Sequence, residues 1–420
     1  MDDQKLQRKR IFSWALYDWG NSAYSTTVMA GFFPLFFSQY WSDGADATVT
    51  TARLGIIISV SSLIVALMSP TLGVIADLKA SKKFFCLLFT VFGAIACGWM
   101  AFIDMGQWQA AMWAYALAMI GFYASSVFYD ALLPYIAEGK KMDYASSLGY
   151  ALGYLGGGVL FLLNVLMYLF PTSFGISDGV TAIRISFITV AIWWVLFSIP
   201  LARNVPEPKV TTEHIPLRIL LPASLSTLWR TFKKLIQQKN ILLFMVAYWL
   251  YIDGVYTVMT MAVDYGIALG FESKDLIAAL LLTQFVGFPC AYYFGTLTGK
   301  WGSKGPILVS IGMYSLTVIG AGFMSAAWHF YALALIIGMF QGGVQSLSRS
   351  LFGRMIHKDE SGEYFGLFNL VGRFAAILGP LIVAFGVQIT GSSRWGLSGL
   401  LILFVIGGGL LTLVKEPKSV

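Results

Sequence analysis

Apolar runs long enough to cross a lipid bilayer recur along the whole 420-residue chain, each interrupted by few charges. A helix needs ~20 apolar residues to span ~30 Å of hydrocarbon. With no water in that layer, every backbone N–H and C=O must be satisfied within its own element, so such runs fold as helices. Residues are 57% hydrophobic and 12% charged, and no stretch is left for a large soluble domain. The expected fold class is an all-α polytopic membrane protein. The opening "MDDQKLQRKR" before a long apolar run superficially resembles a signal peptide. It reads as a retained first span, because the apolar stretch continues to about Tyr40 without a small-residue cleavage site.

Cutting the runs at charges and turn residues gives twelve spans, at about 12–40, 53–77, 84–104, 109–136, 145–170, 182–202, 241–268, 276–299, 305–326, 329–355, 363–390 and 395–414. The loops on the side of the termini hold 22 of the 28 Lys and Arg residues, including seven between Arg203 and Lys239. The opposite side keeps four, Arg53, Arg184, Lys274 and Arg394, and Arg349 and Arg373 lie within spans. Basic loops stay cytoplasmic, so both termini are expected in the cytoplasm. Topology thus accounts for the net charge of +7, and no nucleic-acid partner is implied.

The longest loop divides the chain into an N-terminal six-span bundle (1–202), a cytoplasmic linker (203–240) and a C-terminal six-span bundle (241–420). Within the linker, "ASLSTLWRTFKKLIQQK" places Leu225, Leu228, Trp229, Phe232, Leu235 and Ile236 on one helical stripe with basic residues opposite. That pattern fits a helix lying in the membrane interface and tethering the two bundles.

An internal repeat relates the bundles. Trp14 and Asp18 in span 1 are matched by Trp249 and Asp253 in span 7. Asn21, Ser22 and Ser25 continue the match as Tyr256, Thr257 and Thr260, all at a constant offset of 235. Each set forms a polar stripe on one helix face, which in lipid must face protein or a water-filled cavity. Spans 4 and 10 carry comparable stripes, Ser126, Tyr129 and Asp130 in one and Gln341, Gln345, Ser348 and Arg349 in the other. The polar spans are therefore 1, 4, 7 and 10.

That plan resembles the major facilitator superfamily, in which two six-helix halves enclose a midplane site lined by these spans. The loop between spans 2 and 3, "GVIADLKASKK", keeps Gly73, Ala76, Asp77 and Lys82 of the superfamily's Gly-x-Leu-Ala-Asp-Arg-x-Gly-Arg-Lys pattern and departs from it at Leu78, Ala80 and Ser81. The corresponding loop "GTLTGKWGSK" has Gly299 in place of the Asp. The strings "WALYDWGNSAY", "FYDALLP", "GMFQGGVQSLSRSLFGRMI" and "GEYFGLFNLVGRFAAILGP" resemble the vacuole-effluxer-like branch, which includes fungal vacuolar amino-acid exporters and bacterial relatives. The resemblance implies a small-molecule transporter of the major facilitator fold and suggests amino acids as substrates.

A carboxylate in a membrane span costs at least ~2.5 kcal/mol on insertion scales, so Asp18, Asp130 and Asp253 mark function. Counting ~1.5 Å per residue from the span centres places them in two layers. Asp253 and Arg373 fall near the midplane, at the expected substrate and coupling level together with Tyr256, Thr257, Asn21, Ser25, Gln341 and Gln345. Asp18, Asp130 and Arg349 fall roughly 10 Å nearer the cytoplasm, as a gate network to which Asp77 is added at the surface. Trp14, Tyr17, Trp249, Tyr129 and Tyr256 are the expected cavity aromatics. Coexisting cations and carboxylates suit a small zwitterionic or anionic solute, since they can hold a carboxylate and an ammonium together. Without a Walker-type phosphate loop the energy source is a gradient, and membrane carboxylates make protons the expected coupling ion.

Other readings stay open. The same scaffold could serve a lipid-handling or sensory protein, or an uncoupled facilitator or exporter of another small solute. A membrane enzyme is disfavoured, because no nucleophile–base pair assembles. In "GYALGYLGGG", Gly149, Gly153 and Gly157 recur every four residues without a preceding strand, a helix-packing face and not a dinucleotide loop. His214, His329 and His357 and the three cysteines have no metal-ligand spacing, so no metal or cofactor is expected. The expected state is a monomer.

Overall fold

The computed structural model describes residues 2–42, 45–78, 81–207, 217–268, 273–324, 326–375, 378–391 and 396–417. Nine described helices are long and apolar enough to cross a membrane: spans 2 to 10, from Arg53–Leu78 to Trp328–Met355. Span 1 runs as Asp2–Ala23 and continues through π-helical turns at Tyr24–Phe32 and Phe37–Trp41. Span 12 is Leu400–Leu413. The elements among the described residues are all helical and make up twelve spans in two six-helix halves, an all-α membrane protein.

Span 11 is two helices where the hydropathy pattern suggests one run, Ser361–Phe374 and Leu378–Thr390. Pro380 stands third in the second of these helices. It has no N–H to donate, and it is accommodated in the first turn of the second helix, where no backbone partner is required.

Close helix packing follows from small residues. A Cβ on Gly149 of span 5 would lie 2.6 Å from Asp18 Oδ2 of span 1, and one on Gly156 would lie 2.5 Å from Trp19. The glycine face is thus a packing surface, and it brings span 1 against span 5 closely enough to fix where Asp18 points.

The repeat extends to a pair of clasps at the terminus-bearing end. Glu207, just past span 6, accepts from the Lys83 and Phe84 amides at the start of span 3 at 2.8 and 3.0 Å, while Lys83 Nζ donates to Ala202 O and Val205 O at 3.3 and 2.9 Å. Glu416, just past span 12, accepts from the Ser303 and Lys304 amides at 2.8 and 3.4 Å, and Lys304 Nζ donates to Thr412 O and Val414 O, each at 3.0 Å. A carboxylate satisfies free helix-start amides and an ammonium the free helix-end carbonyls. Burial raises the Glu207 pKa despite its amides. Burial pushes Glu416 the same way, but its amides and Arg354 outweigh that, and its pKa is lowered.

The linker helix, Leu217–Gln237, divides the expected apolar stripe between two surroundings. Leu235 is buried and Leu228 half-buried, whereas Trp229, Phe232 and Ile236 are exposed; the Leu225 side chain lies outside the described residues.

Candidate functional site

Where the two halves meet at the terminus-bearing end, Arg349 of span 10 reaches across the seam. Its Nη1 lies 3.0 Å from Asp130 Oδ1 and its Nη2 3.6 Å from Asp18 Oδ2. Its Nε donates to Ser146 Oγ at 2.9 Å and its Nη2 to Ser146 O at 3.0 Å. The guanidinium is 4% exposed, so its N–H groups are answered by protein rather than by bulk water. Trp14, Tyr129 and Tyr150 surround it, with ring centroids 5.0, 5.4 and 4.5 Å from its central carbon. Charge-assisted hydrogen bonds and cation–π contacts thus hold one cation in a shell drawn almost wholly from the opposite half.

The two carboxylates have further partners. Tyr129 OH donates to Asp18 Oδ2 at 2.8 Å, and Asn369 Nδ2 to Asp130 Oδ2 at 3.2 Å. Trp14 stacks on Tyr129 at 4.2 Å and donates to its carbonyl, and Tyr17 bonds the Thr90 hydroxyl. Trp14, Tyr17 and Tyr129 are all buried, forming the packed wall behind Asp18. Two carboxylates converging on one guanidinium leave the three with a formal charge of −1 when both are ionised. An uncompensated buried charge costs several kcal/mol, and a proton or a ligand's ammonium would relieve it.

Asp253 of span 7 is in different surroundings. It is fully buried, and its two oxygens accept from the backbone amides of Leu378 and Gly379 at 3.1 and 2.8 Å, with Thr257 Oγ1 adding a 3.3 Å bond. It caps the second helix of span 11, a carboxylate on the positive end of the helix dipole. Gly379 is required there, because a Cβ would collide with Thr257 Oγ1 and lie 2.7 Å from Asp253 Oδ1. Arg373 lies on the preceding helix, and its side chain is outside the described residues.

Asn21 is buried with its side-chain oxygen unpartnered among the described residues. Ser25 bonds back to Ser22 O, and Gln345 lies 3.9 Å from Met259 Sδ. Gln341 is buried, while Tyr256 and Trp249 are half-buried. At the membrane surface Asp77 accepts from the Gly362 and Glu363 amides at 3.1 and 2.8 Å and forms an ion pair with Lys82. Asp77, like Arg349, therefore ties the halves together, in a separate cluster at the start of span 11.

Several contributors are missing from the sequence reading. Asp143, Ser146 and Tyr150 form an i, i+3, i+7 stripe on span 5, a signal hidden by attention to its glycines. Asp143 accepts from Ser350 Oγ at 2.6 Å and lies 3.6 Å from Arg354, which also bonds Glu416 at 2.8 Å. The signal for the clasps is the tripeptide Glu-Pro-Lys, present after span 6 and again after span 12.

A family model described as "Vacuole effluxer Atg22 like" matches residues 47–420. The chain belongs to that family. An uncharacterized MFS-type transporter, YxiO of Bacillus subtilis, is 37% identical to this family member over 98% of its chain and 96% of the relative's. Autophagy-related protein 22-2 of Aspergillus niger is 26% identical over 65% of the chain, which spans about half (51%) of that fungal protein. Among solved structures, the human organic anion transporter MFSD10 has a TM-score of 0.75 at 14% identity, covering 96% of this chain and 99% of that one. The proton:xylose symporter XylE has 0.71 at 13%, covering 99% and 96%. This effluxer-family chain is a transporter of the MFS type, an integral membrane protein whose homologues are not enzymes.

Proposed function

We propose that this chain is a proton-coupled secondary transporter of a small zwitterionic or anionic metabolite, with amino acids first, working by alternating access in a bacterial inner membrane with both termini cytoplasmic. The observation that carries the reading is the convergence of Asp18 and Asp130 on Arg349 across the seam. Rocking the halves apart must separate Arg349 from both carboxylates, and an incoming proton is the natural replacement for the lost cation. Asp18, Asp130, Arg349 and Asp77 are then the cytoplasmic gate. Tyr256, Gln345, Asn21, Ser25, Gln341, Thr257 and Trp249 belong to the substrate layer, and Arg373 supplies its cation. Asp253 acts there through the break in span 11, as the anchor of its second helix. The family's description as effluxers supports export.

The test is solute flux in proteoliposomes across a panel of amino acids, peptides, nucleosides and sugars, with and without an imposed proton gradient. Gradient-driven accumulation of amino acids is expected. Equal flux with and without the gradient removes coupling, and flux of no solute in the panel removes the small-solute reading.

A further inference from the structure

The linker helix presents three surfaces. Leu228, Thr231 and Leu235 face protein, with Thr231 and Leu235 buried. About 100° further round the helix, one residue on from each of these, Trp229, Phe232 and Ile236 form an apolar strip that is 61%, 45% and 53% exposed. Beyond that strip lie Lys233, above the Trp229 ring at 5.5 Å, and Arg230, both exposed. An apolar strip edged by cations is what seats a helix at the boundary between acyl chains and anionic headgroups.

The protein-facing surface touches both halves. It packs along span 2 of the N-terminal half and meets span 11 of the C-terminal half. Thr231 Oγ1 donates to Glu363 Oε2 at 2.7 Å, and Lys234 pairs with Glu360 at 2.6 Å. Glu363 is the same residue whose backbone amide bonds Asp77 of span 2. A helix that straddles the seam and grips the start of span 11 is mechanically placed to hold that seam shut.

We propose that the linker helix is a lipid-operated clamp. Anionic phospholipid headgroups of the leaflet on the terminus-bearing side bind the Arg230–Lys233 edge, and a helix so seated favours the closed seam between spans 2 and 11. The inference rests on the transporter reading only for its consequence, a membrane-dependent bias of the conformational cycle. The binding and the closure stand on the linker contacts alone.

Seam opening can be read without transport, by the rate at which a water-soluble maleimide alkylates a Ser361→Cys variant whose three native cysteines are replaced by alanine. Ser361 is buried, and its hydroxyl bonds Ala131 O across the seam at 2.8 Å, so alkylation requires opening. The full-length protein is reconstituted in phosphatidylcholine with and without phosphatidylglycerol. Phosphatidylglycerol is expected to slow alkylation by about fivefold or more, the factor attached to each basic residue near an anionic surface. Arg230→Gln/Lys233→Gln should abolish the slowing, and Thr231→Val should reduce it. Equal slowing in the double variant, no slowing in wild type, or slowing reproduced by inorganic phosphate in phosphatidylcholine alone would overturn the lipid clamp. Undiminished slowing in Thr231→Val would overturn the route through Glu363.

Discussion

In the N-terminal half, Asp18 lies beside Gly149, in the interior of the unbroken span 5, where amides bond within the helix; its carboxylate takes a hydroxyl from Tyr129 and a cation from the other half. In the C-terminal half, Asp253 stands at the repeat-related position, but span 11 is broken beside it, and two free amides of the same half satisfy its oxygens. The difference teaches that one carboxylate position of a duplicated bundle can serve two ends. A motion that separates the halves breaks the ion pair of Asp18 with Arg349, spares its bond from Tyr129 and leaves every bond of Asp253 intact. On this account Asp18 responds to the gate and Asp253 holds the internal shape of its own bundle.

The largest expected effect comes from Arg349→Gln, which leaves two buried carboxylates without their guanidinium. Removing one partner of a buried pair costs about 3–5 kcal/mol, so thermal unfolding in detergent should fall markedly and be partly restored by adding Asp18→Asn. An unchanged melting curve would mean that the seam does not depend on this cation. Next is Gly379→Ala, where overpacking at the Asp253 cap should destabilise by about 1–3 kcal/mol. Asp253→Asn follows at about 1–3 kcal/mol, because the amide keeps one acceptor oxygen for two backbone donors and leaves the other N–H buried and unanswered, whereas Asp18→Asn should leave stability near wild type while uncoupling flux from the proton gradient. If the two asparagine variants behave alike, the contrast between the halves is wrong.

The fold was legible because hydropathy and charge asymmetry act over whole spans, and twelve runs with one long basic loop leave few alternatives. The meeting of Asp18, Asp130 and Arg349 was also legible, since charged residues in lipid must find one another and the three share a depth. Other features depend on contacts that no period encodes. Asp253 takes backbone amides as partners, invisible to any count of side chains. The two faces of the linker helix differ by what packs against them, and the same leucine–aromatic stripe supplies both.

The smallest effects distinguish the two clasps. Glu416 has a lowered pKa, so its stabilisation is present above the unfolded glutamate value and is lost as pH falls through the folded one. Glu207 has a raised pKa, so its contribution declines as pH rises from the unfolded value through the folded one. Melting temperatures across the acid range should therefore lose part of their downward slope in Glu416→Gln and change in the opposite sense in Glu207→Gln. Identical profiles would remove this difference between the halves.

The central claim is that Arg349 holds the terminus-bearing seam closed. Glu138 and Lys358 face each other across that seam at 3.6 Å with both side chains largely exposed, which makes them sites for a pair of spin labels. The direct measurement is the distance distribution between labels at Glu138→Cys and Lys358→Cys in a background without native cysteines, with Arg349 present and in the folded Arg349→Gln variant. The account predicts a dominant short distance with Arg349 and a shift of population to longer distances without it. The same short distribution in both proteins would contradict it.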